Sequence, residues 1–518
     1  MADNPAESTQ PGSTAGASRH WRNIVLFLSV LTVWRIVAVF ASPLDLYPDE
    51  AQYWLWSRTF DFGYFSKPPM VAWLIGLTTI SSSDEAFVRL AAPLMHALAA
   101  LALYGAGRRL HGPAAGALAA VLYALMPGVQ LSSFVIATDA PLLAFLSLAF
   151  FAYVELQAAR GRRALAVAAG FGAALGLAFL SKYAALYALA GLTIHLIADR
   201  DARKVWRLPV IGTAAFAFLV IASPNLIWNA THGFETVAHT AGNAGWSEGE
   251  HFQIAELAGF LVAQFGVFGP IPFAVLALAL VLAVRRGLTK PDVLALAFTL
   301  PPLIVVTAQA FIAGANANWA AAAYTPGAVL VAGLLVRWKA RPWIIAAMAI
   351  QGLIAILFLF VIARPDLADR IGMANSLKRA RGWEQITRLI VERARDENAA
   401  GQLTAVAVED RFLFNAAAYY GRDAFGADLP PLRMWVRGAA PRNQAEAVAA
   451  LTPAEGGRVL AVSLAPDATP VLAADFARTL GKSIISVRLD AKHSRRAEMF
   501  IGEAFAPKPR TGPDRAVR

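Results

Sequence analysis

Runs of apolar residues recur along the chain up to about position 365, where a more polar pattern begins. Each run holds roughly 17–25 residues, the length of α-helix that crosses a bilayer core of ~30 Å. The runs are too long for the strands of a membrane barrel, which need only about 10 residues. The pattern predicts a polytopic α-helical membrane protein with eleven spans, at residues 23–42, 86–106, 113–130, 138–157, 164–180, 183–198, 208–228, 257–284, 291–313, 319–336 and 342–363.

Several segments depart from this pattern. The apolar stretch from Met70 to Ile80 is too short to cross a bilayer, so we interpret it as re-entrant or interfacial. Residues 366–505 alternate amphipathic helix with short apolar runs, which predicts a small α/β domain. The polar ends, residues 1–20 and 506–518, have the composition of disordered segments. The elements predicted for the α/β domain are a helix over 382–398 and strands over 403–408, 458–463 and 483–489.

The composition agrees with a membrane location, because 57% of the 518 residues are hydrophobic and only 16% are charged. The net charge of +11 does not indicate nucleic-acid binding. The basic residues lie mostly in short loops between spans, as the positive-inside rule requires. The absence of cysteine excludes disulfides and thiolate metal sites. The sequence also lacks a Walker A loop and a dinucleotide-binding fingerprint, which argues against ATP- or NAD-driven chemistry.

The charges of the loops predict the orientation. Every second loop is basic, from Arg19 and Arg22 before the first span to Arg337, Lys339 and Arg341 before the last. The loops between these basic loops contain only Arg58, Lys67 and Lys182. We therefore expect a cytoplasmic N-terminus, with loops 43–85 and 229–256 and the α/β domain in the periplasm. We expect the first span to be retained rather than cleaved after Ala41, because Arg35 interrupts its apolar run.

The first outer loop holds the strongest candidate chemistry, in Asp49, Glu50 and Lys67. An ionisable group at a membrane edge is costly, which makes it a candidate functional group. A carboxylate can deprotonate a hydroxyl nucleophile, and a lysine can bind a phosphate. The alternatives are structural. The acids suit the first turn of a helix that begins at Pro48, and the lysine suits a snorkelling position at the interface.

Further polar residues fall at the predicted outer ends of later spans. Asp139 begins the fourth span, where it or Thr138 is also suited to cap a helix. Lys182 is the only basic residue between the fifth and sixth spans. His239 and His251 are weak candidates for a metal ion, in a loop that lacks diagnostic spacing. Side chains suited either to lining a substrate cavity or to anchoring at the interface are Tyr53, Trp54, Tyr64, Tyr183, Asn318, Trp319 and Tyr324.

Six short motifs of this chain occur in the same order in a known family. The chain resembles the C-type membrane glycosyltransferases of the protein O-mannosyltransferase superfamily. Bacterial members of that superfamily include lipid A aminoarabinose transferases and rhizobial lipopolysaccharide galacturonosyl transferases. The resemblance covers residues 22 to about 365 and, more weakly, the α/β domain, and it implies the C-type glycosyltransferase fold. The motifs that carry it are Pro48–Ser57, Gly63–Leu74, Thr138–Pro141, Leu180–Tyr183, Ser223–Asn229 and Asn318–Tyr324.

The resemblance also implies roles for single residues. Asp49 matches the catalytic acid of the family's Asp-Glu pair, and Asp139 matches its second outer aspartate. Lys67 matches the lysine that faces the lipid phosphate. Ser66 stands where the aminoarabinose enzymes have a glutamate that helps to hold a metal, so a divalent metal cofactor is left open. Asn318-Trp319-Ala320 stands where many relatives have His-Pro-Trp-like residues, a difference that we expect to affect acceptor choice.

We therefore expect an inverting glycosyltransferase of the bacterial inner membrane, with its active site facing the periplasm. The expected donor is a polyprenyl-phosphate-linked sugar, and the expected acceptor is lipid A or core lipopolysaccharide. The catalytic candidates are Asp49, Glu50 and Asp139, and the phosphate ligands are Lys67 and Lys182. A protein acceptor is the alternative within the same fold. A transporter or flippase of lipid-linked sugars is the alternative from another class, although the sequence lacks the inverted repeats typical of transporters.

Overall fold

The computed structural model describes residues 11–242, 252–372, 374–438 and 440–510. These residues form two compact units, which we call the membrane unit and the sheet unit. The membrane unit contains the described residues up to Ala38, together with Ala91–Thr231 and Ala241–Leu359. The sheet unit contains Val39–Leu90, His232–Thr240 and the described residues from Phe360 onward. The sequence places loop 43–85 with the membrane domain, whereas the structure groups this loop with the C-terminal domain.

Helices dominate the described part of the chain. Two longer 3₁₀ turns, Tyr183–Leu186 and Ala317–Ala323, interrupt the series. In chain order the helices are α1 (Pro11–Phe40), α2 (Pro48–Ser57), α3 (Met70–Thr78), α4 (Glu85–Arg89), α5 (Ala91–His111), α6 (Pro113–Leu125), α7 (Pro127–Ser132), α8 (Asp139–Leu156), α9 (Gly161–Ser181), α10 (Tyr187–Ala198), α11 (Arg200–Arg203), α12 (Leu208–Thr231), α13 (Glu235–Gly242), α14 (Ile254–Val267), α15 (Pro270–Val284), α16 (Lys290–Ala313), α17 (Tyr324–Arg337), α18 (Arg341–Ala363), α19 (Asp366–Arg370), α20 (Ala374–Leu377), α21 (Trp383–Ala400), α22 (Arg411–Tyr420), α23 (Gln444–Val448) and α24 (Thr469–Ala473).

The predicted polytopic helical fold is confirmed. Within the described residues, eight helices have the length and apolar composition of a membrane span, and each coincides with a predicted one. The predicted spans 113–130 and 183–198 are also helical but shorter, with 13 residues in α6 and 12 in α10. A full span needs about 20 residues. These two helices are short because Pro127 ends the first and a 3₁₀ turn replaces the beginning of the second.

The span predicted over 257–284 is not one continuous helix. The structure has two helices there, α14 and α15, and the direction of the helix axis bends by 119° at the break between them. Gly269 adopts a φ of 101°, which a residue with a Cβ rarely adopts. Pro270 follows it as the first residue of α15, the position where proline costs a helix least. A glycine–proline pair inside an apolar run therefore ends one helix and begins another.

Close helix packing gives the membrane unit its core. Helix α9 packs against both α8 and α12. At the second of these contacts Gly172 lies against the backbone of Ala214, too near to leave room for a Cβ. Small residues allow helices in a bilayer to approach closely and to gain dispersion contacts. The contact therefore fixes α9, the helix that carries Lys182 directly after its last residue.

The polar leader differs in part from its prediction. The composition of residues 1–20 predicts disorder, but α1 already begins at Pro11. Extending an existing helix costs far less than nucleating one, so the apolar span can propagate helix into the leader before it. Proline at the first position agrees with this helix start. Residues 1–10 lie outside the described part of the chain.

The sheet unit is built on five strands in the order β2-β1-β3-β5-β4. Strand β1 runs parallel to β2 and β3, and β5 runs antiparallel to β3 and β4. Helices α21 and α22 cover one face with Trp383, Ile386 and Leu413, while Trp435 and Phe500 lie in the core of the other face. The strands are β1 (Ala405–Val408), β2 (Leu432–Met434), β3 (Arg458–Ser463), β4 (Phe476–Arg488) and β5 (Ser494–Phe505).

This sheet confirms the predicted small α/β fold and extends it. The predicted helix and three strands are present as α21, β1, β3 and part of β4. The sequence did not predict β2 or β5. The predicted disorder of residues 506–518 is wrong for 506–510, because Arg510 forms a 2.6 Å ion pair with Asp475 and Lys508 N donates to the same carboxylate. Residues 511–518 lie outside the described part of the chain.

Candidate functional site

In the sheet unit, both carboxylate oxygens of Glu50, one of the two candidate carboxylates of loop 43–85, accept hydrogen bonds. It lies in the first turn of α2, and its Oε2 accepts a 2.8 Å hydrogen bond from the backbone N of Tyr47. Arg89 donates Nη2 to the same oxygen at 2.9 Å and Nε to Oε1 at 3.1 Å. Glu50 is 0% exposed and Arg89 is 4% exposed. Arg89 also donates to the carbonyls of Leu44 and Asp45, so the pair holds the loop together.

Asp49, one residue earlier, has a different environment. It also lies in the first turn of α2 but is half-buried, so part of it reaches the surface of the unit. Its negative charge acts on Arg379, which donates Nη1 to the hydroxyl of Tyr47 at 3.3 Å. The hydrogen bond to Tyr47, the Tyr47 hydroxyl and the charge of Asp49 together raise the pKa of Arg379.

Three of the predicted lining residues, Tyr53, Trp54 and Tyr64, are buried within the sheet unit. Tyr64 stacks on Trp56 with 4.8 Å between ring centroids, and its hydroxyl donates to the carbonyls of Trp56 and Thr59. Trp54 meets Tyr419 of α22 edge to face, also at 4.8 Å. In this structure the three side chains are core residues, which gives them a packing role that the aromatic pattern alone does not reveal.

Lys67 ends a tight turn that begins at Tyr64, and the backbone N of each residue donates to the carbonyl of the other. Two other segments of the sheet unit hold this turn. The hydroxyl of Thr236 in α13 donates to the carbonyl of Tyr64 at 2.7 Å. The backbone N of Phe65 donates to Oε1 of Gln444 in α23 at 2.9 Å. The lysine is half-buried, so the turn presents its charge from a fixed backbone.

His239, one of the two weak metal candidates, lies in α13 with its ring 6.0 Å from that of Phe65. Burial and the positive charges of Lys67 and Arg411 lower the pKa of His239 to about 4, so the imidazole is neutral at pH 7. Two neighbouring cations disfavour a metal ion at this histidine. Among the described residues, no group of three or more His, Asp or Glu side chains is arranged to hold a metal. His251 lies outside them.

In the membrane unit, the structure brings three predicted site residues together. Lys182 donates Nζ to Oδ1 of Asp139 at 2.7 Å, and Asn318 donates Nδ2 to Oδ2 at 2.9 Å. The side chain of Asp139 is 15% exposed and that of Lys182 is 25% exposed. Asp139 begins α8, but its carboxylate binds residues from other segments, and Thr138 makes no side-chain bond that caps the helix. A simple helix cap therefore does not account for this pair.

A second polar chain lies next to Lys182. Tyr183 donates its hydroxyl to Oδ1 of Asn225 at 3.1 Å and accepts a bond from Nδ2 of Asn229 at 3.0 Å. Asn229 also donates to the carbonyl of Asn225, one helical turn earlier in α12. Both asparagines are buried, whereas Tyr183 is half-buried. The two amides fix the orientation of the Tyr183 side chain. Because Lys182 directly precedes Tyr183, they also help to fix the backbone position of Lys182.

The remaining predicted lining residues differ in exposure. Asn318 is exposed and Trp319 is half-buried, packed beside Phe260. Tyr324 is fully buried. Its hydroxyl donates to Oε1 of Gln264 at 2.6 Å, and its ring stacks on Phe268 with 4.4 Å between centroids. Tyr324 is therefore a core residue that ties α17 to α14.

Some buried polar groups of the membrane unit have partners that the sequence pattern does not reveal. Arg35, noted only for interrupting the first span, is 1% exposed and donates Nη2 to Oε1 of Gln130 at 2.9 Å and to the carbonyl of Ala124. His96 Nδ1 lies 2.9 Å from the hydroxyl of Tyr123. A charge inside an apolar span is the signal that marks such networks, since it requires internal partners.

Comparison with known proteins places the chain in a family. A sequence model of the family described as dolichyl-phosphate-mannose-protein mannosyltransferase matches residues 66–228. Over 340 residues the chain is 38% identical to lipid A galacturonosyltransferase RgtD of Rhizobium johnstonii, covering 65% of this chain and 70% of that protein. The chain therefore belongs to the C-type membrane glycosyltransferases, the family that contains RgtD.

Solved structures support the fold. The crystal structure of ArnT from Cupriavidus metallidurans in the apo state matches with a TM-score of 0.65 and 18% identity, over 93% of this chain and 98% of that one. The same protein bound to undecaprenyl phosphate matches with a TM-score of 0.65 and 17% identity, over 92% and 97% of the two chains. These two matches confirm the predicted C-type glycosyltransferase fold.

Proposed function

We propose that this glycosyltransferase moves a sugar from a polyprenyl-phosphate donor to lipid A or core lipopolysaccharide on the periplasmic face of the inner membrane. The observation that carries the proposal is the 38% identity to a lipid A galacturonosyltransferase. By the same relationship, the sugar that we expect to be transferred is a uronic acid such as galacturonic acid. The ArnT structure that holds undecaprenyl phosphate supports a lipid-linked donor.

Asp49 is the proposed catalytic base. An acceptor hydroxyl attacks the anomeric carbon, its proton passes to Asp49, and a new C–O bond forms. The bond between the anomeric carbon and the phosphate oxygen breaks, and the polyprenyl phosphate leaves with the electron pair, so the configuration inverts. Asp49 suits this role better than Glu50, because Asp49 is half-buried, whereas both oxygens of Glu50 accept hydrogen bonds inside the unit.

Lys67 is the proposed ligand of the donor phosphate. Negative charge grows on the phosphate as the glycosidic bond breaks, and a positioned cation in a poorly hydrated site stabilises it. The turn held by Thr236 and Gln444 keeps the lysine backbone in place. We assign Lys182 and Asp139 as a second polar group that binds substrate, with Asn318 beside them. We propose Glu50 as a positioning residue for the loop.

The test is transfer by the purified full-length protein from a synthetic polyprenyl-phosphate-linked galacturonic acid to lipid A, followed by mass spectrometry. The wild type should add the mass of one galacturonosyl residue. Asp49→Asn should remain folded but lose about 10²–10⁴-fold in turnover, the usual contribution of a general base. The matched control is Asp61→Asn, an isosteric change in the same loop whose side chain keeps its bond to the backbone N of Phe62. Turnover of Asp49→Asn within a few-fold of the wild type would remove Asp49 as the base.

Lys67 gives a second arm of the same assay. Lys67→Ala should keep its thermal stability but lose donor affinity or turnover, because the cation opposite the phosphate is gone. A lysine that only snorkels to the interface predicts the opposite, with lower expression and normal kinetics. Lys482→Ala, which changes an exposed lysine of β4, is the control. Normal donor titration for Lys67→Ala would exclude this residue from the site.

A protein acceptor is the second candidate, because the matching family model is described by protein mannosylation. The same assay separates the two acceptors when lipid A is replaced by periplasmic protein extract. Label found in protein but not in lipid A would favour protein O-glycosylation. Mass spectrometry of lipid A and core from a deletion strain gives an independent answer, because one missing glycosyl mass identifies both the sugar and the acceptor.

A further inference from the structure

A cavity of about 850 Å³ lies in the membrane unit at the end of the helices opposite to Asp139. Helix α8 begins at Asp139, and the residues that follow its last turn, Gln157 and Arg160, line the cavity. At 1.5 Å per residue, the 18 residues of α8 separate the two ends by about 27 Å. The cavity is therefore distinct from the Asp139–Lys182 group. The predicted topology places it at the cytoplasmic leaflet.

Four cations line this cavity: Arg160, Lys204, Arg207 and Lys290. Two carboxylates also line it, and both pair with the lysines. Asp201 lies 2.8 Å from Lys204 and 2.6 Å from Lys290, and Asp199 lies 3.5 Å from Lys290. Arg160 donates Nη1 to the carbonyls of Gln157 and Ala159, which fixes its guanidinium at the end of α8. The carboxylates thus offset the lysines, and the two arginines leave the lining with net positive charge.

The rest of the lining is apolar, with Leu110, Leu165, Val205, Val210 and Leu294 among its residues. Arg207 immediately precedes α12, a helix of which only 22% of the apolar window is buried. Leu208, at the beginning of that helix, is 82% exposed. A membrane helix with so little of its surface buried faces lipid. The cavity therefore has cations next to apolar walls and opens beside a lipid-facing helix, a combination that matches a phosphate attached to acyl chains.

We propose that this cavity binds the headgroup of an anionic phospholipid, with Arg160 and Arg207 contacting its phosphate. Basic pockets between membrane helices on the cytoplasmic side are suited to acidic lipid headgroups, whose charge they complement. Arginine donates in a planar fork that fits two phosphate oxygens at once. A zwitterionic headgroup lacks the net negative charge that this lining favours. A bound lipid would join the ends of α8, α9, α12 and α16 at this leaflet.

The test is native mass spectrometry of the delipidated full-length protein, titrated with phosphatidylglycerol, phosphatidylcholine or inorganic phosphate. We expect the wild type to retain phosphatidylglycerol more tightly than phosphatidylcholine. Arg160→Gln combined with Arg207→Gln should weaken phosphatidylglycerol binding roughly thirtyfold, since each basic residue near the surface contributes about a fivefold effect. The matched control, Arg285→Gln combined with Arg341→Gln, removes the same charge from exposed positions at the end of α15 and the beginning of α18. These positions lie outside the lining, so this variant should bind like the wild type.

Three results would overturn the proposal. Equal weakening in the control pair would show that general surface charge, and not the cavity, attracts the lipid. Equal retention of phosphatidylcholine would remove the preference for an anionic headgroup. Displacement of the lipid by inorganic phosphate at equal concentration would assign the cavity to a soluble anion. Leu165→Trp fills the cavity while keeping every charge, so it remains informative if the arginine variants fail to fold, and unchanged lipid binding by this variant would also contradict the proposal.

Discussion

Each unit contains a carboxylate–cation pair, and the two pairs differ in how much of their side-chain surface is exposed. In the sheet unit, Glu50 and Arg89 are 0% and 4% exposed, and the carboxylate accepts hydrogen bonds from Arg89 and from the backbone N of Tyr47. In the membrane unit, Asp139 and Lys182 meet at a shorter 2.7 Å but keep 15% and 25% of their surface exposed. The first pair has the features of a structural tie, whereas the second can still meet a ligand.

The adjacent acids Asp49 and Glu50 belong to one sequence motif but have different surroundings in the structure. Asp49 and Glu50 are adjacent in the sequence, and the acidic pair makes the loop a candidate for function. On a helix, neighbouring residues point about 100° apart, so one turns inward to Arg89 and the other remains half-buried. A buried charge must be paired, which makes its partner a residue of the fold. The half-buried Asp49 still has part of its side chain at the surface of the sheet unit, as the proposed base requires.

Loss of the buried Glu50–Arg89 pair should have a stronger effect than the other substitutions at these pairs. Arg89→Leu leaves the carboxylate of Glu50 buried without its partner, which typically costs about 3–5 kcal/mol of stability. It also removes the donors to the carbonyls of Leu44 and Asp45. We expect a strong drop in the thermal unfolding midpoint in detergent, together with loss of activity through misfolding.

Arg388→Leu is the matched control, because Arg388 pairs with Glu384 at 3.5 Å on an exposed helix surface. Exposed pairs contribute less than about 1 kcal/mol, so this variant should unfold close to the wild type. Adding Glu50→Gln to Arg89→Leu removes the unpaired charge and should recover part of the loss. Unfolding of Arg89→Leu at the wild-type midpoint would show that the pair is not a structural tie.

The sequence predicted the spans well because an apolar run carries its own signal of length. It selected Asp49, Asp139, Lys67 and Lys182 one by one as site candidates, and their chemistry stays a prediction. It did not predict which residues meet. Glu50 and Arg89 lie 39 positions apart, and Asp139 and Asn318 lie 179 apart. Such pairs are set by the packing of whole helices, for which a single sequence carries no local pattern.

Loss of the second pair should have an effect of intermediate size, on activity rather than on stability. Lys182→Gln keeps a hydrogen-bond donor for Asp139 but removes the positive charge. A partly exposed pair contributes about 1 kcal/mol or less to folding, so the unfolding midpoint should change little. If the pair binds substrate, turnover should fall about 10–10²-fold, as for the loss of one positioned charge.

The control for Lys182→Gln is Lys482→Gln, the same change at an exposed lysine that pairs with Glu498 at 3.1 Å. It should match the wild type in both measurements. Transfer kinetics and thermal unfolding on the same preparations separate the two roles. A fall in unfolding midpoint that accompanies the fall in turnover would move the Asp139–Lys182 pair into the same structural class as Glu50–Arg89.

The sheet unit shows where local pattern is insufficient. Strands β1 and β3 are short buried apolar runs, and both were predicted from that pattern. Strand β2 has only three residues, too few to show a period. Strand β5 begins with the charged run Ser494-Arg495-Arg496, and it is a strand because β3 and β4 pair with it on both sides. Residues 494–496 are therefore in a strand because of their pairing partners and not because of their own sequence, since β-strand propensity depends strongly on context.

A change at Tyr183 in the membrane unit should have a weaker effect than either of the two ion-pair variants. Tyr183→Phe removes the hydroxyl that donates to Asn225 and accepts from Asn229 while keeping the ring that contacts Phe179. One such hydrogen bond contributes about 0.5–1.5 kcal/mol. Because Tyr183 directly follows Lys182, a looser tyrosine should shift the lysine and raise the KM for the donor a few-fold, with kcat nearly unchanged. Tyr187→Phe, in the next helical turn, is the control and should leave both constants unchanged. A fall in kcat for Tyr183→Phe without any change in KM would instead place the hydroxyl in the chemical step. The hydrogen bonds of Tyr183 with Asn225 and Asn229 would then do more than position Lys182.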